Sequence, residues 1–144
     1  MTAAVLVALG AAIGAPSRWL VDRSVRSRWP SDFPWGTLTV NLVGSFVLGV
    51  VLGASGHFAA GAAVALLVGT GFCGAFTTFS TFAVETVRLI EEHEHRYAVV
   101  NVAVSLLLGC LLAAAGWWLG TIVWAERQLP ELTVPVRFPS PARP

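Results

Sequence analysis

The sequence predicts an all-α membrane protein with four transmembrane helices, the third of them broken. Three observations point to it. The chain has 144 residues, 56% hydrophobic and 12% charged, with a mean hydropathy of +0.73, whereas soluble domains carry about 25% charged residues. Residues 33–84 make 52 consecutive positions without Asp, Glu, Lys or Arg. Within them, residues 69–82 read Gly-Thr-Gly-Phe-Cys-Gly-Ala-Phe-Thr-Thr-Phe-Ser-Thr-Phe. Glycine lowers helix stability, and Ser and Thr draw hydrogen bonds away from the helix backbone.

A spanning helix needs about 20 apolar residues. The first span covers residues 3–21. No cation precedes Arg18, so the segment lacks the basic start of a signal peptide. The second span covers residues 35–55. The third starts near residue 61, breaks over 74–78 and resumes to about 91. The fourth covers 97–124, inside 29 uncharged residues from 97 to 125. The connections are an Arg-rich loop over 22–34, a turn over 56–60 and an acidic segment over 91–95. Residues 1–125 thus form one four-helix transmembrane domain. Residues 126–144 hold five of the eight prolines from position 130 onward, which predicts an extended, mobile tail.

Trp19 and Trp35 fall at one membrane interface, and Trp117, Trp118 and Trp124 at the other, as an aromatic belt. Gly10 and Gly14, Gly49 and Gly53, and Gly116 and Gly120 are each four apart, a spacing that lets helix backbones approach closely. Arg23, Arg26, Arg28, Arg88 and Arg96 share one side, with Arg127 near the other. The positive-inside rule then places both termini outside.

The composition excludes several functions. All nine cations are Arg and the net charge is +1. No cationic cluster outside the membrane suits a nucleic acid. Cys73 and Cys110 lie in apolar segments and read as buried free thiols. His57, His93 and His95 fall in loops, and no catalytic or metal-ligand motif appears, so no enzyme is predicted.

The broken span points to ion handling. Irregular backbone at membrane depth is tolerated only where it is buried in protein or lines a wet cavity. A broken helix also offers spare N–H and C=O groups as ion ligands. Asn41, alone in the second span, is either an interhelical hydrogen-bonding group or a donor in an anion path. Phe79 and Phe82 share a helix face; they either pack or present positive ring edges to an anion. Asn101 and Ser105 share a face of the fourth span, continued by Gly109, and can simply join helices. Arg18 is an interface anchor or an attractor of anions. Glu85 and Arg88 can pair with each other at the wet boundary.

In these residues the chain resembles the Fluc/CrcB fluoride channels. The resemblance runs through all four spans: Gly-Ala-Pro-Ser-Arg-Trp at 14–19, Gly-Thr-Leu-Thr-Val-Asn-Leu-Val-Gly-Ser-Phe at 36–46, the run at 71–82 followed by Glu85, and Asn101 with Ser105. It implies passive, electrogenic export of cytoplasmic fluoride through a plasma-membrane protein. It also implies an antiparallel dimer, either of identical chains or with an oppositely oriented paralogue. By the same resemblance, a structural Na⁺ at the dimer centre is held by the backbone carbonyls of Gly74 and Thr77. The anion pathway then comprises Asn41, Phe79 and Phe82, with hydroxyls from Thr37, Ser80, Thr81 and Ser105, and Asn101 and Arg18 nearby. Asn101 and Gly109 stand where related chains often carry an aromatic hydroxyl and a hydroxyl. A small four-helix drug/proton antiporter is the competing reading, but it needs an acid deep in its first span; residues 1–17 contain none. A non-transporting membrane subunit is a further alternative.

Overall fold

A computed structural model describes residues 1–128 of the chain. The described residues are all helical or loop. Helix α1 spans Thr2–Arg28 and α2 spans Trp35–Ser55. The third span is composite: α3 (Gly61–Val64), a π-helix π1 (Ala65–Cys73), α4 (Gly74–Phe76) and α5 (Phe79–Glu91). Helix α6 spans His95–Gln128. Four of these units are long and apolar enough to cross a membrane, and the protein is a multi-pass membrane protein.

The first helix runs past the predicted boundary at residue 21, so the expected 22–34 loop shrinks to residues 29–34. Hydropathy marks where the apolar stretch ends, not where the helix ends. Arg26 reaches back one turn to Asp22 (2.9 Å), an i,i+4 pair that supports the helix. Trp29 N–H caps it on the Val25 carbonyl at 2.9 Å. Pro16 sits inside α1 and removes one backbone donor, a gap that membrane helices accommodate through neighbours and hydroxyl groups. Helix α6 likewise continues to Gln128, beyond the predicted end at 124 and into the expected tail. The rest of that proline-rich tail lies outside the described residues.

Glycine sets the helix contacts. Helix α2 packs chiefly on α6, and α1 on π1. A Cβ on Gly49 or Gly53 would land on the backbone carbonyls of Ala113 or Trp117. One on Gly116 or Gly120 would land on those of Phe46 or Val50. The two small-residue pairs therefore fit each other reciprocally. Gly10 and Gly14 meet the backbone of π1 at Leu67 and Phe72 in the same way. At one end of the bundle, buried Phe33 stacks near Trp35 (4.7 Å between centroids) and Tyr97 (6.0 Å). At the other, Phe58 meets Trp124 at 5.0 Å. Trp19, Trp35, Trp117 and Trp118 are exposed to the surroundings.

Candidate functional site

The polar centre of the molecule is where α4 stops. Thr77 (φ −81°, ψ 163°) and Thr78 (φ −149°, ψ 122°) are both extended. The interruption is therefore two residues long. Gly74, expected inside it, is still helical (φ −63°, ψ −33°).

Asn41, two turns into α2, holds this interruption. Its Oδ1 accepts from the Thr78 N–H at 2.8 Å, and its Nδ2 donates to the Thr78 carbonyl at 3.0 Å. The peptide needs one acceptor and one donor, which fixes the orientation of the amide. In a continuous helix the Thr78 N–H would bond to the Gly74 carbonyl. Asn41 takes it instead, so the Gly74 carbonyl loses its helical donor. Thr77 directs both its N–H and its Oγ1 to the Cys73 carbonyl, each at 2.9 Å. No described group donates to the Thr77 carbonyl. Two backbone oxygens are thus left free beside the break.

The chain restarts with a side-chain cap. Thr78 Oγ1 accepts from the Thr81 N–H (3.2 Å) and donates to Thr81 Oγ1 (3.0 Å). Ser80 Oγ lies 3.3 Å from the same oxygen. Such a cap satisfies a donor that the first turn of α5 would leave open. Thr78 was not among the predicted site residues. The Thr-Thr pair immediately before a restarting helix was the available signal.

An open groove of about 360 Å³ runs along the break. Asn41, Ser45, Gly74, Thr77, Phe79, Phe82 and Ser105 contribute to its wall. Phe79 is 80% exposed and stands 5.9 Å from Phe82, with the rings tilted by 45°. The Ser105 hydroxyl is buried and has no hydrogen-bond partner among the described residues. A Cβ on Gly74 would meet nothing within 4 Å, so the chain leaves this spot open.

The other predicted residues lie elsewhere. Asn101 is 1% exposed and donates to Thr86 Oγ1 at 3.0 Å. Thr86 in turn donates to the Phe82 carbonyl at 2.7 Å. Asn101 therefore joins α6 to α5 and supports the turn that carries Phe82, without lining the groove. Thr37 is buried one turn before Asn41 and also does not line it. Ser80 and Thr81 belong to the cap of α5, and half-buried Arg18 is not in the groove wall.

The expected Glu85–Arg88 pair does not form. Glu85, 7% exposed, pairs with Arg26 of α1, and Arg88 faces Glu92 at 3.6 Å. The extension of α1 brings Arg26 within reach, and that contact was not visible while residues 22–34 read as loop. Glu85 Oε2 is buried without a described partner. This pair lines a separate cavity of about 270 Å³ with Asp32 and Arg88.

Comparison with known proteins shows the family of the chain. The family model described as CrcB-like protein, Camphor Resistance (CrcB), matches residues 5–117. A protein of Frankia casuarinae named fluoride-specific ion channel FluC 1 is 50% identical over 124 residues, 83% of this chain and 96% of its own length. One of the same name from Streptomyces avermitilis is 45% identical over 120 residues, 83% of this chain and 97% of its own. Fluoride-specific ion channel FluC 2 of Mycobacterium tuberculosis is 47% identical over 110 residues, 76% of this chain and 84% of its own. The matched region contains α1, α2, the interrupted span with its groove and most of α6, and the chain belongs to the CrcB family.

Proposed function

We propose that this protein conducts fluoride passively across the plasma membrane. The observation that supports it most is the groove in which Asn41 clamps the break at Thr77 and Thr78 beside Phe79, Phe82 and Ser105. The names of the relatives give the ion. The chemistry of the groove suits it. A small anion leaves water only if donors replace its hydration shell, yet binding must stay weak enough for exit. One Asn41 N–H remains after the Thr78 bond, the Ser105 hydroxyl is unspent, and ring edges attract anions weakly.

The groove is open on one side, with Phe79 exposed and space beside Gly74. A second subunit closing it fits the antiparallel dimer, built from two copies or with a paralogue. The Gly74 and Thr77 carbonyls suit a hard cation such as Na⁺, and these residues would hold it at that interface. When bound, it would make the local potential favourable to an anion. The antiporter reading is disfavoured because the buried acid present, Glu85, is already paired with Arg26.

Fluoride-loaded liposomes containing the purified chain test the proposal. Electrogenic fluoride release with little chloride release is expected. Equal chloride release, or flux that requires a proton gradient, overturns it. Flux only after a paralogue is added assigns the pore to a mixed pair.

A further inference from the structure

We propose that the end of α1 binds an anionic phospholipid, with its phosphate at Arg28 beside Trp29 and an acyl chain along Leu20, Val21 and Val25. Two cavities, of about 220 and 550 Å³, share Arg28 and Trp29 in their walls. The smaller continues down the apolar side of α1 past Leu20, Val21 and Val25. The larger is bounded by Trp35 and the loop after α1, and its size is that of a ligand pocket.

Charge selects the occupant. Arg26 is bonded to both Asp22 and Glu85. Arg23 lies over the Trp19 ring, 5.1 Å from its centroid. Arg28 has no hydrogen bond or ion pair among the described residues, and no Asp or Glu lines either of its cavities. The contrast is with the third cavity touching Trp29, where Arg26 meets Glu85. The Arg28 guanidinium is thus a cation at the cavity wall with no protein partner among the described residues, whereas Arg26 has two.

Depth selects a lipid over a soluble anion. Leu20, Trp29 and Trp35 are exposed at the end of a membrane-spanning helix. Two indoles at that level mark the headgroup region. Below them the smaller cavity is walled by Leu20, Val21 and Val25 with Ser24, where an acyl chain packs and a free phosphate would gain little.

The test uses the full chain in nanodiscs of equal phosphatidylglycerol and phosphatidylcholine, with retained lipid measured by native mass spectrometry after release. Wild type should retain phosphatidylglycerol in preference to phosphatidylcholine. Arg28→Gln should lower that preference about fivefold, the worth of one cation near an anionic surface, while Arg28→Lys keeps most of it. Arg23→Gln should match wild type, and glycerol phosphate in solution should not compete. Equal retention of the two lipids overturns the proposal. So does an equal loss in Arg23→Gln, or displacement by soluble glycerol phosphate. Fluoride efflux is not the readout, so failure here is separate from failure of the channel assignment.

Discussion

Asn41 and Thr78 exchange two hydrogen bonds, at 2.8 and 3.0 Å, across 37 positions of sequence. One side chain in an unbroken helix thereby replaces the helical partner of a broken one. The same side chain also lines the groove, so clamp and groove wall meet in one residue.

Asn41→Asp should abolish fluoride efflux. The carboxylate, when ionised, has no donor for the Thr78 carbonyl and places a negative charge in the anion path. At 4 Å and an effective dielectric of about 20, like charges repel by about 4 kcal/mol, or roughly a thousandfold in occupancy. Asn41→Ser keeps one hydroxyl donor and should retain partial flux. Efflux from liposomes measures both, and wild-type flux in Asn41→Asp would reduce Asn41 to a purely structural clamp.

Phe79→Leu and Phe82→Leu keep apolar bulk but remove the ring quadrupole. Each should lower fluoride efflux while the protein elutes as before from a size-exclusion column. Phe79 is mostly exposed, so its substitution should leave the thermal midpoint of the chain nearly unchanged. A large drop in stability without loss of flux would assign the ring to packing.

Gly74→Val separates the chain from its assembly. The added side chain meets nothing in the subunit itself, so helical content by circular dichroism should be retained. A partner closing over Gly74 would be obstructed, and the dimer peak should be lost. Thr77→Ser should assemble normally, because the backbone oxygen remains. An intact Gly74→Val dimer would rule out a carbonyl-lined cation site at that interface.

Breaking the Arg26–Glu85 pair should destabilise unevenly. Arg26→Ala leaves a buried carboxylate unpaired, a change that costs about 3–5 kcal/mol when both partners are fully buried. Arg26 is half exposed, so solvent screening should bring the loss below that range. The double variant Arg26→Met with Glu85→Leu should regain most of it. Thermal unfolding in detergent of wild type, Arg26→Met, Glu85→Leu and the double variant gives the coupling, and additive losses would show that the two groups do not interact.

The four spans were readable because a membrane forces long apolar runs, and hydropathy reports those directly. The interrupted third span was readable because Gly and Thr crowd where a helix should be smooth. What hydropathy could not convey was the helical reach of charged residues: α1 continues through Arg28 on side-chain pairs that a polarity scale scores as loop. That hid the Arg26–Glu85 contact and suggested Arg88 instead. The roles of Asn101, Ser80 and Thr81 were also out of reach. A polar residue at membrane depth must find a partner, but one chain does not reveal whether that partner is Thr86, a helix cap or a passing ion.

Nine residues wound as a π-helix, Ala65–Cys73, set the angular phase of everything after them. Each turn there holds more residues than an α-turn, since its bonds run i to i+5. Losing a single residue while the stretch rewound to α-geometry would largely cancel: one residue fewer removes about 100° of rotation, and the tighter α-turns of the residues that remain restore much of it. The stretch Ala65–Cys73 can therefore take up a one-residue change in length that an α-helical segment would pass on in full as a rotation of Gly74 and its carbonyl.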